Sequence, residues 1–228
     1  MRRLFATIAD RYDFITRFLS YGQDRRWKRR AIRLARLRPE ERVLDLACGT
    51  GDLMFEAAAA TSRVVGLDVT HRMLLLARAR AARLPEAVRP RCGFVTGDMS
   101  ALPFGGGQFD VVTTGYGLRN VPVLTEAIAE IHRVLAPGGR LVSLDFNRPT
   151  NAVIRQAYWI YLTVVGSGLG LALHGDADTY RYIPESIRNY PGAEGVATLL
   201  RECGFLNVRV VPVLGGFMAI HVAIKPPH

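Results

Sequence analysis

From Glu41 onward, short runs of aliphatic and β-branched residues alternate with longer amphipathic stretches, the pattern of an α/β domain on a largely parallel sheet. The runs predict strands over residues 42–47, 63–67, 93–96, 110–114, 140–146, 207–213 and 217–224. The first five are continuously apolar, as strands covered on both faces must be. Helical spacing fills 52–60, 72–83, 123–135 and 192–203, and Leu214-Gly215-Gly216 between the last two runs marks a hairpin. The expected fold class is therefore α/β: a seven-stranded, mostly parallel, Rossmann-like sheet with helices on both faces and an antiparallel C-terminal hairpin strand.

Two segments stand outside that core. Residues 1–38 read as a helical N-terminal arm, two helices broken around Ser20-Tyr21-Gly22, preceding the α/β domain over 39–228. Within that domain, 148–190 reads as a substrate-side insertion. It holds sixteen uncharged residues at 158–173, short of the ~20 that span hydrocarbon. That stretch is either a buried helix or an apolar surface at a substrate mouth or membrane.

Composition narrows the class. With 49% apolar and 22% charged residues the chain is an ordinary globular protein. Cys48, Cys92 and Cys203 form no C-x-x-C pair, which argues against a disulfide framework or zinc site and for a reducing, cytoplasmic setting. Met1-Arg2-Arg3 is followed by too short an apolar run for an export signal. The net charge of +10 is concentrated: the first 42 residues carry +8 and the remainder +2. A basic arm meets nucleic acid, anionic lipid or an anionic small molecule, or is simply a solvated helical face.

Candidate chemistry begins where the first strand ends, in Asp45-Leu46-Ala47-Cys48-Gly49-Thr50-Gly51-Asp52. A G-x-G turn opening a helix exposes backbone N–H groups to a ligand. A dinucleotide fingerprint needs a third glycine at position 54, which is Met, and a Walker loop needs Lys-Ser/Thr. Asp45, before the glycines, repels phosphate and attracts a cation. S-adenosylmethionine, with its ammonium and sulfonium, fits that polarity. Asp68 closes the second strand nineteen residues after Gly49, placed to accept from both ribose hydroxyls. Asp98 and Met99 follow the third strand, beside the adenine, and Gly115 ends the fourth beneath the transferable methyl. Cofactor-binding candidates are thus Asp45, Gly49, Thr50, Gly51, Asp68, Asp98, Met99 and Gly115; no metal is expected.

Longer motifs carry a resemblance. Tyr12-Asp13-Phe14-Ile15-Thr16, Leu19-Ser20, Asp24 and Trp27 are followed by Gly117-Leu118-Arg119-Asn120-Val121 and by Arg133-Val134-Leu135-Ala136-Pro137-Gly138-Gly139. Leu144-Asp145-Phe146-Asn147, the run 176–191 and Ala219-Ile220-His221 complete the set. The chain resembles class I S-adenosylmethionine-dependent methyltransferases and, within them, the ubiquinone/menaquinone biosynthesis C-methyltransferases. It departs at Thr16, Asp24, Ala136, Asp145 and Asn147, where that family has Asn, His, Lys, Glu and Ser.

The resemblance implies C-methylation of a demethylated polyprenyl quinol, demethylmenaquinol first and the benzoquinol second. Such an enzyme must make a ring carbon nucleophilic and stabilise a developing phenolate. Arg119, always charged, is the candidate for that task with Asn120 as second donor; otherwise Arg119 is salt-bridged to a strand-end carboxylate. Asn147, Tyr180 and Tyr182 are the candidate substrate contacts. His221 reads as a core histidine, and His132 and His174 receive no role. The isoprenoid tail calls for an apolar mouth, built from 158–173 with Phe14, Phe18 and Leu19. Arg25, Arg26, Lys28, Arg29 and Arg30 are placed to attract anionic membrane at its inner face, and the arm to act as a lid. A homodimer stays open. The alternative reading keeps the donor and changes the acceptor to another small phenol, sterol or amine. An RNA methyltransferase lacks its N-P-P-[YF] sequence and recognition module here, so no nucleic acid is expected; a non-catalytic binding module is the remaining class.

Overall fold

The structure is a computed structural model that describes residues 9, 16, 20, 22–84, 92–149, 151–174 and 182–227. Helix α1 (Asp24–Ala35) precedes β1 (Arg42–Leu46), α2 (Asp52–Ala58), β2 (Arg63–Asp68), α3 (His71–Ala81) and β3 (Cys92–Thr96). Then come β4 (Phe109–Gly115), a 3-10 turn (Leu118–Asn120), α4 (Leu124–Val134), β5 (Leu135–Phe146), α5 (Ala152–His174) and α6 (Tyr182–Asn189). Helix α7 (Gly192–Glu202), β6 (Leu206–Val213) and β7 (Met218–Ile224) complete the chain. The first helix expected for the arm, with Phe14, Phe18 and Leu19, lies outside the described residues except at Ala9, Thr16 and Ser20.

The strands form one sheet in the order β3-β2-β1-β4-β5-β7-β6. Pairs among β1 to β5 are parallel, and β7 runs antiparallel to both β5 and β6. The expected architecture is observed. Alternate residues of each strand feed opposite faces. Leu44, Val112 and Leu141 enter one core with Ile128 and Ile131 of α4 and Leu200 of α7. Val43, Val111 and Val142 enter the other with Trp27 of α1 and Met54 of α2.

Three details depart from the sequence pattern. Strand β5 begins at Leu135, not Arg140, because Leu135 pairs with Phe109 before a register shift carries the ladder to Val111 and Arg140. Gly138 supplies the positive φ (74°) in that irregular stretch. Helix α5 starts six residues before the uncharged run, where the Asn151 side chain accepts the N–H groups of Val153 and Ile154 (2.9 and 3.1 Å). It is also only partly buried: Leu162 is covered, but Val153, Ile154, Ile160, Val164 and Leu171 are exposed.

Asn147 Oδ1 accepts the Ala193 N–H at the start of α7 (2.8 Å) and its Nδ2 donates to the Gly216 carbonyl in the β6–β7 turn (2.8 Å). Asn147 thus staples α7 to the hairpin, and it is not among the lining residues of the cavity described below. His221 is buried in β7 with Nε2 at 2.9 Å from the Ala193 carbonyl, a core residue as read.

Candidate active site

The chain leaves β1 toward β2 on one side and β4 on the other, and at such a switch point a crevice opens at the carboxyl ends of the strands. Here it is a cavity of about 490 Å³, with Ala47, Gly49, Asp68, Met73, Asp98, Met99, Gly115, Tyr116, Gly117, Asn120, Val121 and Pro122 in its lining. A narrow extension of about 30 Å³ shares Gly49, Gly115 and Tyr116 and adds Lys28, Asp45, Thr50 and Asp52.

The two loop glycines have different reasons to be glycine. Gly49 sits at φ 54°, and a Cβ there would project into open space, which leaves bare backbone facing the room for a ligand. Gly51 sits at φ 94° and its Cβ would meet the Phe55 ring at 2.6 Å; it lets α2 close under the loop. Asp68 fixes the loop from β2. Its Oδ2 accepts the Gly49 N–H and its Oδ1 the Thr70 N–H, both at 2.8 Å. Burial nevertheless raises its pKa above the ordinary carboxylate range.

Asp45 is 1% exposed. Its Oδ1 accepts the Thr113 hydroxyl (2.7 Å), whereas Oδ2 has no protein partner. Burial pushes its pKa up to about 7, against the Thr113 hydrogen bond, the Met54 backbone N–H that faces the carboxylate and the Lys28 charge. A buried carboxylate oxygen left over beside a glycine cradle, with a second carboxylate at the next strand end, suits a ligand with a cationic head and a sugar hydroxyl pair. The residues fit the donor inferred from the sequence.

Helix α1 closes the extension through charges. Lys28 Nζ lies 2.6 Å from Asp24 and 2.8 Å from Asp52, and Arg80 of α3 reaches Asp52 at 2.6 Å. Arg80 also donates to the Thr50 hydroxyl and carbonyl, both at 2.9 Å. Burial alone would raise the Asp52 pKa, but Lys28 and Arg80 hold it at about 2.

Against that geometry, the model of the ubiE/COQ5 methyltransferase family matches residues 1–225. The chain belongs to this family. It is 42% identical over 225 residues to the demethylmenaquinone methyltransferase of Thermus thermophilus, covering 98% of this chain and 100% of that one. To the ubiquinone/menaquinone biosynthesis C-methyltransferase UbiE of Ectopseudomonas mendocina it is 40% identical over 226 residues, covering 98% and 88%. Its fold is shared with a SAM-dependent methyltransferase of Thermotoga maritima (TM-score 0.68, 18% identity, 99% of each chain).

In this methyltransferase, Asp45, Gly49, Thr50, Asp68, Asp98, Met99, Gly115 and Asn120 gather on the cavity or its extension. Gly51 lies beneath the loop. Tyr180 lies outside the described residues, and Tyr182, at the start of α6, is not a cavity-lining residue. Arg119 is placed differently from the first expectation. Its Nη1 pairs with Asp145 Oδ1 (2.9 Å), its backbone N–H donates to Asp145 Oδ2 (3.2 Å), and its guanidinium lies 4.6 Å from the Phe146 ring centre. The strand-end ion pair, the other reading of Arg119, is what forms. Lys28 is likewise buried in the Asp24–Asp52 network, so it does not face lipid; Arg25, Arg26, Arg29 and Arg30 are exposed.

Sequence reasoning missed Tyr116, Lys28 and Asp52 as parts of the site. Tyr116 was legible only as a residue between two glycines, whereas its φ of 61° is a property of the folded chain.

One consequence is pH-dependent. An ammonium group beside Asp45 favours its ionised form, so donor binding releases a proton wherever free Asp45 is protonated. Affinity for S-adenosylhomocysteine is therefore expected to fall below pH 7, by at most about tenfold per pH unit. Calorimetry across pH 5.5–8.5 checks this (a range chosen at about the Asp45 titration), and Asp45→Asn should remove that part of the dependence.

Proposed function

We infer that this methyltransferase moves a methyl group from S-adenosylmethionine to a ring carbon of a demethylated polyprenyl quinol, with demethylmenaquinol as the first candidate acceptor. The observation carrying the donor is the pairing of Asp45 Oδ2, buried and unpartnered, with the open Gly49 cradle and Asp68. The names of the relatives at about 40% identity support the acceptor. When bound, the donor supplies an electrophilic methyl carbon. Asp45 and Lys28 stand at the amino-acid end, Asp68 at the ribose and Asp98 with Met99 at the adenine.

On the other wall, Asn120 Nδ2 donates to the Tyr116 carbonyl (2.8 Å), while its Oδ1 is buried with no partner. That oxygen is the group we assign to a quinol hydroxyl. Arg119, held by Asp145, fixes the Tyr116 carbonyl (3.0 Å) and so the shape of this wall. Helix α6 packs on the 3-10 turn that carries Asn120, and α5 packs on α6, which sets the insertion beside the acceptor side of the cavity. The deciding experiment supplies labelled donor and a short-chain demethylmenaquinol under reducing conditions. Product with a new ring methyl is expected; transfer to another phenol, sterol or amine with none to quinol would replace this acceptor.

The tail and the membrane belong to the same reading. No helix among the described residues is long and apolar enough to cross a membrane. Exposed Arg26, Arg30, Arg33 and Arg36 of α1 and its end share an open basin with Leu214 at the β6–β7 turn. Phe217 of that turn meets Tyr158 of α5 (ring centres 4.7 Å apart), so the basic face runs on to the exposed apolar residues of α5. We assign this surface to peripheral contact with an anionic bilayer, worth about 1 kcal/mol per arginine near the lipid. Flotation should recover more protein with vesicles rich in anionic lipid than with neutral ones, and Arg26→Glu with Arg30→Glu should abolish the difference.

A further inference from the structure

Methylating a quinol ring releases one proton for each methyl transferred, and the residues assigned so far do not remove it. Asn120 does not titrate, and the Arg119 guanidinium stays protonated below pH ~12. Asp45, Asp68 and Asp98 belong to the donor side of the cavity.

Tyr116 is different. It forms part of the wall of both the main cavity and its extension. It is the non-glycine residue in the left-handed region at the end of β4, with φ 61°, and its surroundings over-determine that conformation. Its N–H donates to the Leu144 carbonyl (2.8 Å), and its own carbonyl accepts from Arg119 Nη1 (3.0 Å) and Asn120 Nδ2 (2.8 Å). Strain held in this way is found where a side chain must be aimed.

The side chain is aimed at the arm. Its hydroxyl donates to Asp24 Oδ1 at 2.6 Å, the length of a charge-assisted bond. From there Asp24 Oδ2 meets Lys28 Nζ, Lys28 meets Asp52 and Asp52 meets Arg80, each within 2.8 Å. Side-chain exposure rises along this chain, from 8% at Asp24 and Lys28 to 28% at Asp52 and 39% at Arg80. A continuous line of hydrogen bonds leads from the cavity wall to solvent.

We propose that Tyr116 and Asp24 are the proton-accepting pair of the ring methylation, an inference that rests on the quinol reading above. The quinol O–H bond breaks and its proton passes to Tyr116 Oη, while the phenolic proton of Tyr116 passes to Asp24 Oδ1. The electron pair left on the substrate oxygen flows into the ring and forms the bond to the methyl carbon, and the carbon–sulfur pair stays with sulfur. The hydrogen on the methylated carbon then moves to the ring oxygen, which restores the aromatic ring. Net, one proton rests on Asp24. The Lys28 and Asp52 side chains lead from Asp24 toward solvent, and that proton is released to water before the next turnover.

Among the described residues, the charged groups around Asp24 and Tyr116 are Lys28 on α1, Asp52 on α2 and Arg80 on α3, with Asp45 of β1 in the extension. The Arg119–Asp145 pair lies behind the Tyr116 ring, Arg119 at 5.8 Å from its centre.

Asp24→Asn keeps a hydrogen-bond acceptor but no base, and Tyr116→Phe keeps the ring. Both are expected to lose about 10²-fold or more in kcat, the scale of a positioned acid–base group. The affinity for S-adenosylhomocysteine should change less than about threefold, well inside that loss. In the free protein carrying 13Cζ-tyrosine, the resonance absent from Tyr116→Phe should move in Asp24→Asn. A wild type that methylates quinol while Tyr116→Phe does so at more than about a tenth of its rate overturns this inference alone. So does a Tyr116 resonance indifferent to Asp24→Asn, or an affinity loss that accounts for the fall in kcat. A wild type that methylates no quinol overturns the acceptor reading beneath it.

Discussion

Asp68→Ala is expected to weaken S-adenosylhomocysteine binding by about 10²–10⁴-fold. A carboxylate that accepts from two ribose hydroxyls makes two charge-assisted bonds, each about 1.5–3 kcal/mol, and every 1.4 kcal/mol is about tenfold in affinity. The same substitution releases the Gly49 and Thr70 N–H groups that Asp68 now holds at 2.8 Å, so the loop loses its anchor as well as its ligand contact. Calorimetry with S-adenosylhomocysteine measures this directly. A loss below about fivefold would place the ribose elsewhere, since even one such bond exceeds that value.

Arg119→Ala is expected to unfold the protein before it informs on chemistry. The Arg119–Asp145 pair is 5% and 1% exposed, at 2.9 Å. Removing one partner strands a buried charge, at a cost of about 3–5 kcal/mol. For a domain of this size each kcal/mol lowers Tm by about 2–4 °C, so a fall of roughly 6–20 °C should appear in thermal denaturation. Asp145→Ala should do the same. Arg119→Met combined with Asp145→Leu should recover most of the loss, because matched apolar groups leave neither charge stranded. If Arg119→Ala melts within about 2 °C of the parent, the pair contributes little and the arginine is available for substrate after all.

What the sequence revealed follows from which physical signals are local. Strands β1, β2, β4 and β5 were legible because two covered faces demand apolar runs, and Val43 and Leu44 show both faces occupied, whereas the edge strand β3 is partly exposed. The glycine loop and the carboxylates at successive strand ends were legible because a parallel α/β sheet returns the chain to the same edge after each helix. Side chains whose partners lie far away in sequence were not. Lys28 read as one more arginine-like charge of a basic arm, yet it is neutralised by Asp52, 24 residues on, and by Asp24. Asn147 sat at a plausible strand end, but its amide is committed to Ala193 and Gly216, 46 and 69 residues away. Arg119 had two readings, and only the position of Asp145, 26 residues later, decides between them. The uncharged run at 158–173 named the apolar content of α5, while the helix start was set by Asn151.

The placement of β7 bears on how such a chain is made. It is the last strand in order yet sits inside the sheet, with β5 on one side and β6 on the other. Until residues 218–224 leave the ribosome, the otherwise finished parallel half ends in a bare edge at β5, whose partners Leu141 to Asp145 wait unpaired. Bare edges recruit neighbours, and a pairing that closes late between distant segments is slow. Nascent protein arrested short of that strand should therefore be a far better client for chaperones, and a worse survivor of crowding on polysomes, than its fraction of missing residues suggests.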